Sequence, residues 1–138
     1  MLYMEAARNE ELSEMLVDML MKTCPDKILY CMGISVTRKI AVEKNYPSVR
    51  EFYADRDYDD SGSIVFARKV AKLDPKTVAE KCVRACREGK VRTVEGNDIE
   101  IEFESICFHS DSPGALAIGR AVHDALRADG ISIEAPKI

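Results

Sequence analysis

Short apolar runs and capped amphipathic segments take turns along this 138-residue chain, and that alternation restricts its fold more than any other feature. After Asn9, a residue suited to cap a helix, come Glu10 and Glu11. Leu12, Met15, Leu16, Met19 and Leu20 then recur at helical spacing, with Glu14, Asp18 and Lys22 between them. Pro25 and Asp26 end this helix, and Lys27-Ile28-Leu29-Tyr30-Cys31-Met32-Gly33 reads as a strand covered on both faces. Ser35 opens a second helix that runs towards Lys44 and stops at Asn45 and Pro47. Val49 to Ala54 is the next strand, leading into the polar stretch Asp55-Arg56-Asp57-Tyr58-Asp59-Asp60-Ser61-Gly62.

Asp74 and Pro75 supply a cap and a first-turn residue for a helix through Val78, Cys82, Val83 and Cys86, which Gly89 closes. Val91 to Val94 and Ile99 to Phe103, joined across Glu95-Gly96-Asn97-Asp98, read as a hairpin. Ile106-Cys107-Phe108 is a buried strand. Ser112 caps a helix from Pro113 to about Ala128, with Ala115, Leu116, Ile118, Gly119, Val122 and Leu126 inward and Gly130 at its end. Apart from the hairpin, strand and helix alternate throughout, which predicts an α/β fold with a largely parallel sheet in a single domain.

The remaining totals exclude more than they select. A hydrophobic fraction of 46% with 32% charged residues fits a soluble domain, and a formal charge of −4 gives no basic field for nucleic acid or an anionic membrane. No apolar run approaches the roughly 20 residues that cross a bilayer, and Met1-Leu2-Tyr3-Met4-Glu5 lacks a signal peptide's basic start, so a cytoplasmic protein is expected. Five cysteines form no Cys-x-x-Cys pair, and Cys31, Cys82 and Cys107 sit in apolar runs, so reduced thiols and no metal ligands are expected. Cys82 and Cys86, four apart, read as core thiols.

Ligands of parallel sheets gather at the C-terminal strand ends, where loops and helix N-termini present free donors. Asp55 and Arg56 follow one strand, while His109 and Asp111 follow another, so neighbouring strands would bring all four to one cleft. There His109 is suited to proton transfer, with Asp111 placed to orient it or to activate water. The bland alternatives are a structural strand-end histidine, a helix-favouring Asp111 and a local Asp55–Arg56 ion pair. His123, within the last helix, reads as a surface or packing residue, and Asp59 and Asp60 as a solvated turn.

Phe52-Tyr53-Ala54-Asp55-Arg56-Asp57-Tyr58 with Gly62, Glu88-Gly89-Lys90-Val91, and Ile106-Cys107-Phe108-His109-Ser110-Asp111-Ser112-Pro113-Gly114-Ala115 resemble the LamB/YcsF family in order and interval. Leu2-Tyr3 and Gly130-Ile131 extend the resemblance over essentially the whole chain. It implies an irregular β/α barrel and ATP-dependent 5-oxoprolinase activity, in which an A-type subunit works with B and C subunits to open the lactam of 5-oxoproline to glutamate. ATP would be the cosubstrate. The resemblance implies His109, Asp111 and Asp55 as catalytic residues and Arg56, Tyr58, Ser110 and Ser112 as substrate-binding ones; no residue is assigned as a metal ligand, and whether a metal is bound is left open.

Three departures accompany it. The family's aspartate-rich first strand and two further histidine motifs precede the region this chain matches. His-Gly-Asp is His109-Ser110-Asp111 here, and Arg68-Lys69-Val70-Ala71-Lys72 is shorter than the family's proline-glycine loop. A closed barrel takes around 250 residues, so this chain is expected to supply about half of one, the C-terminal part, and to self-associate or pair with a complementary N-terminal half. The alternatives are a non-catalytic remnant or assembly module of that family, or an amide or sugar deacetylase, whose metal site needs an aspartate and paired histidines where this chain has only two histidines in all.

Overall fold

A computed structural model of the chain describes residues 2–65 and 71–136; Arg68, Lys69 and Val70 of the shortened loop lie outside the described residues. The elements are α1 (Leu2–Ala6), α2 (Glu10–Thr23), β1 (Leu29–Met32), α3 (Val36–Glu43), β2 (Ser48–Tyr53), α4 (Pro75–Glu88), β3 (Lys90–Arg92), β4 (Asp98–Glu100), β5 (Ser105–Cys107) and α5 (Ala115–Ala128). Among the described residues β1, β2 and β5 form a three-stranded sheet in the order β1-β2-β5, and β3 pairs with β4 in a separate hairpin. The fold is mixed α/β with parallel pairing of β1 and β2, Leu29 opposite Ser48 through Met32 opposite Glu51. No described helix is long and apolar enough to cross a membrane.

The chain divides into two compact units, one built on residues up to Glu51 with Phe103–Ser105, the other on the described parts of Phe52–Glu102 and Ile106–Ala135. In the first, the Asn9 side chain caps α2 by accepting from Leu12 N, and Ser35 caps α3 by accepting from Arg38 N. Their shared core is Val17, Ile40, Ala41 and Tyr46, flanked by Leu20, Leu29 and Val36. Of the apolar set Leu12, Met15, Leu16, Met19 and Leu20, the leucines are half-buried but the methionines turn outward, Met15 63% and Met19 49% exposed, while Ser13 and Val17 are fully buried. The reason is polar. Ser13 Oγ donates to the Ala6 carbonyl at 2.6 Å and lies 2.9 Å from Thr37 Oγ1. A seam of small, mutually satisfied residues lets α2 approach α3 closely, which turns the bulky methionines outward.

In the second unit α4 packs on α5. Val78, Ala79, Cys82 and Ala85 are buried on the one, and Ile118, Val122 and Leu126 on the other. The α4 ends follow the sequence signals: Asp74 accepts from Thr77 N, Pro75 takes the first turn, and Gly89 closes the helix at φ +63°. The hairpin pairs Lys90 with Glu100 and Arg92 with Asp98. Three readings are corrected here. Leu116, expected inward, is 69% exposed, and α5 begins at Ala115 behind a left-handed Gly114 that offers no side-chain cap. Ser112 does not cap this helix, because its hydroxyl bonds elsewhere. β5 is only half-buried, its next residue Phe108 being exposed.

Candidate active site

β2 ends where Phe52 stacks on Tyr58, ring centroids 5.5 Å apart, and the Tyr53 N–H donates to the Tyr58 hydroxyl at 2.7 Å. The loop after it is built by its own carboxylates. Asp59 Oδ1 accepts from the N–H groups of Ser61 (2.9 Å) and Ser63 (3.1 Å), and Asp60 accepts from Thr93 Oγ1 (2.6 Å) and Asn97 Nδ2 (2.8 Å), tying the loop to the hairpin turn. These two aspartates hold structure, not solvent alone.

Asp55 is the centre of the cluster. Its side chain is fully buried, and four donors converge on it. Oδ1 lies 2.9 Å from His109 Nδ1. Oδ2 accepts from the His109 N–H at 3.0 Å, from Arg56 Nη1 at 3.0 Å and from the Ser112 hydroxyl. Burial pushes the Asp55 carboxyl up, but the bonds from Ser112 and His109 outweigh it and hold the group below its usual value. An ionised carboxylate only accepts, so the proton of neutral His109 belongs on Nδ1 and Nε2 is left as the open acceptor. The imidazole is further held against Tyr53, the two rings stacked at 5.9 Å. About a third of the His109 side chain reaches solvent.

Of the four residues placed at the strand ends, Asp55, Arg56 and His109 stand together here, and Ser112 rather than Asp111 completes the group at the buried carboxylate. Arg56 Nη1 also donates to Ser112 Oγ at 3.2 Å, and its Nη2 lies 3.7 Å from Asp111. Asp111 is 81% exposed at the rim, and Asp55 takes the orienting position at the imidazole that the strand-end reading assigned to Asp111. Ser110 is exposed beside it. Tyr58, expected to meet substrate, lies in the core at 1% exposure with its hydroxyl on Tyr53.

The residue that sequence reasoning missed is Lys81. Its ammonium donates to the carbonyls of Arg56 and Ala54 (3.3 Å), approaches that of Tyr53 (3.5 Å), and lies 5.3 and 5.2 Å from the ring centroids of Phe52 and Tyr58. Burial pushes this ammonium below its usual value, with Asp57 partly opposing. The available signal was its register: three after Val78 and four before Ala85, Lys81 falls on the buried face of α4. A surface groove of about 920 Å³ along α4 and α5 is lined by Ala79, Val83, Ala121 and Ala125 among others and includes none of the cluster.

The model of the LamB/YcsF family matches residues 1–137. A curated relative, a 5-oxoprolinase A-type subunit of Pseudomonas aeruginosa, is 55% identical over 136 residues, 99% of this chain and 54% of that protein. A 5-oxoprolinase A-type subunit of Agrobacterium fabrum is 32% identical over 96% of this chain and 52% of that protein. Among solved structures, the lactam utilization protein from Thermus thermophilus matches with a TM-score of 0.85 at 25% identity, over 96% of this chain and 53% of that one. The chain therefore spans about half the length of the relatives it matches.

Proposed function

This chain belongs to the LamB/YcsF family, and from that premise we propose that it carries the proton-transfer part of the site in a 5-oxoprolinase of the A, B and C type, as its A-type component. The observation that supports the reading is the carboxylate-held imidazole: Asp55 on Nδ1 leaves Nε2 of His109 as a base. In lactam hydrolysis water adds to the ring carbonyl carbon and the C–N bond breaks. The proton leaving the water passes to His109 Nε2 and from there to the departing nitrogen, so that 5-oxoproline and water become glutamate. ATP, as cosubstrate, activates the ring carbonyl oxygen as a phosphoryl donor and leaves as ADP and phosphate, the phosphate departing as the new carboxylate of glutamate forms. Asp55 stays ionised and stabilises the imidazolium that forms between the two proton transfers.

Arg56 is the cation offered to the carboxylate of 5-oxoproline, and exposed Asp111 and Ser110 form the rim. Ser112, committed to Asp55, acts through that carboxylate. The B and C subunits are the partners this role requires, in the cytoplasm. The test is ATP-dependent release of glutamate from 5-oxoproline by the chain combined with a complementary N-terminal half and the B and C subunits, beside the full-length Pseudomonas aeruginosa relative in the same mixture. We expect turnover that His109→Ala lowers by about 10² or more. A chain that gives none, or whose His109→Ala variant keeps its rate while the relative is active, would overturn the proposal.

A further inference from the structure

We propose that Lys81 is a positioning residue for the Asp55–His109 pair, acting through the turn that carries Asp55. Where β2 ends, the chain curls so that the carbonyls of Tyr53, Ala54 and Arg56 point towards one spot, and the Lys81 ammonium stands there. The match is chemical as well as spatial. An ammonium has three N–H donors and no acceptor, and it meets three carbonyls. The stacked rings of Phe52 and Tyr58, at 5.3 and 5.2 Å, offer the remaining contact a cation favours while removing water from it.

Packing alone does not ask for a lysine on this face of α4. Its neighbours there are Val78, Cys82 and Ala85, and an apolar side chain would fill the space with no charge to desolvate. What an apolar side chain cannot do is gather three carbonyls. Asp55 lies between two of the carbonyl-bearing residues, so the gathering fixes where its carboxylate points: Oδ1 to His109 Nδ1 at 2.9 Å and Oδ2 to the His109 N–H at 3.0 Å. Lys81 touches neither the imidazole nor any reacting atom. Its influence runs from ammonium to turn to carboxylate to ring.

The functional meaning rests on the reading of His109 as the proton carrier, so the test separates the two. Nitrogen NMR of the 138-residue chain reads the tautomer of each imidazole, and His123, whose Nδ1 lies 3.0 Å from the exposed Asp124 and not on Asp55, serves as an internal reference. In the natural chain His109 should favour the Nδ1–H form. In Lys81→Met that preference should fall about threefold or more towards an unbiased mixture, with the His123 signal unchanged. Asp55→Asn should reproduce the change, and adding Lys81→Met to it should produce little more, as expected of residues acting along one route.

A folded Lys81→Met with a natural His109 signal would overturn the proposal. Should that variant not fold, Lys81→Gln takes its place under the same criterion, and failure of both to fold also overturns it, leaving Lys81 a stability element only. In the assembled enzyme, folded Lys81→Met should lower kcat by about tenfold with KM within about twofold. An altered tautomer in a chain that never turns over 5-oxoproline would leave the positioning role standing and the proposed reaction fallen.

Discussion

Two strand-to-helix junctions in this molecule use serine in opposite ways. Between β1 and α3, Ser35 is satisfied within four residues: its hydroxyl donates to the Met32 carbonyl at 2.7 Å and accepts from Arg38 N at 3.1 Å. Between β5 and α5, Ser112 stands three residues before a helix that has no side-chain cap at all, and its hydroxyl bonds Asp55, 57 positions away in sequence. The first junction obeys the local rule and is structural. The second breaks it, leaving α5 with Gly114 at φ +83° in the capping position, and the broken rule coincides with the one buried carboxylate of the cluster. Departures of this kind are expected where structure is given up for chemistry.

The contrast breaks most severely at Asp55. Asp55→Asn replaces an acceptor-only group with one whose amide faces donors from His109, Ser112 and Arg56. We expect turnover of the assembled enzyme to fall by about 10³ or more and stability by about 3 kcal/mol. The pH dependence carries a sign. Because the folded-state value lies below 3.8, the stability Asp55 contributes is fully present above that unfolded value and is lost as pH falls through the depressed one. Chemical denaturation between neutral pH and pH 3 should therefore show a steeper acid loss for the natural chain than for Asp55→Asn. Parallel profiles would mean the carboxylate gains nothing from its donors.

Next in size is the pair of serine truncations, which should cost similar stability and differ in everything else. Ser35→Ala removes a helix cap and should cost about 1 kcal/mol. Ser112→Ala removes a charge-assisted bond from a buried carboxylate and should cost about 1.5 kcal/mol or more. Only the second should raise the Asp55 value and lower turnover, by about tenfold, while Ser35→Ala leaves the rate within about twofold. Equal effects on turnover would erase the distinction between the junctions.

This contrast also marks what the sequence could tell. Asn9, Ser35, Asp74 with Pro75, and Gly89 announce helix ends correctly because a cap is a contract among residues three or four apart. Asp55 and His109 are legible as strand-end residues for the same reason. Asp111-Ser112-Pro113 spells a helix start as clearly as Asp74-Pro75 does, yet the helix begins at Ala115, since the partner that claims Ser112 is distant in sequence. Lys81 is hidden likewise: nothing near it in sequence predicts three carbonyls waiting at the end of β2. Met15, Met19 and Leu116 show the converse error, where apolar spacing names a stripe wider than the surface that covers it.

The smallest expected effect lies on α5, where two opposing terms nearly cancel. Gly119 is a helix-interior glycine, and alanine there should gain about 1 kcal/mol of helix propensity. A methyl at that position meets the tip of the Phe108 ring, 2.6 Å from its Cζ, so the ring must move. Phe108 is 42% exposed, which lets it swing towards solvent without opening a core cavity, and the lost contact should cost less than an overpacked interior site, about 1 kcal/mol. Gly119→Ala should therefore leave the melting temperature within a few degrees of the natural chain. Phe108 is bonded in sequence to His109, but the imidazole is fixed independently through both its backbone N–H and Nδ1 on Asp55, so its tautomer should also stay unchanged. A Gly119→Ala chain that keeps its stability but shifts the His109 signal would show that the β5 side of the site, and not only Asp55, sets the imidazole.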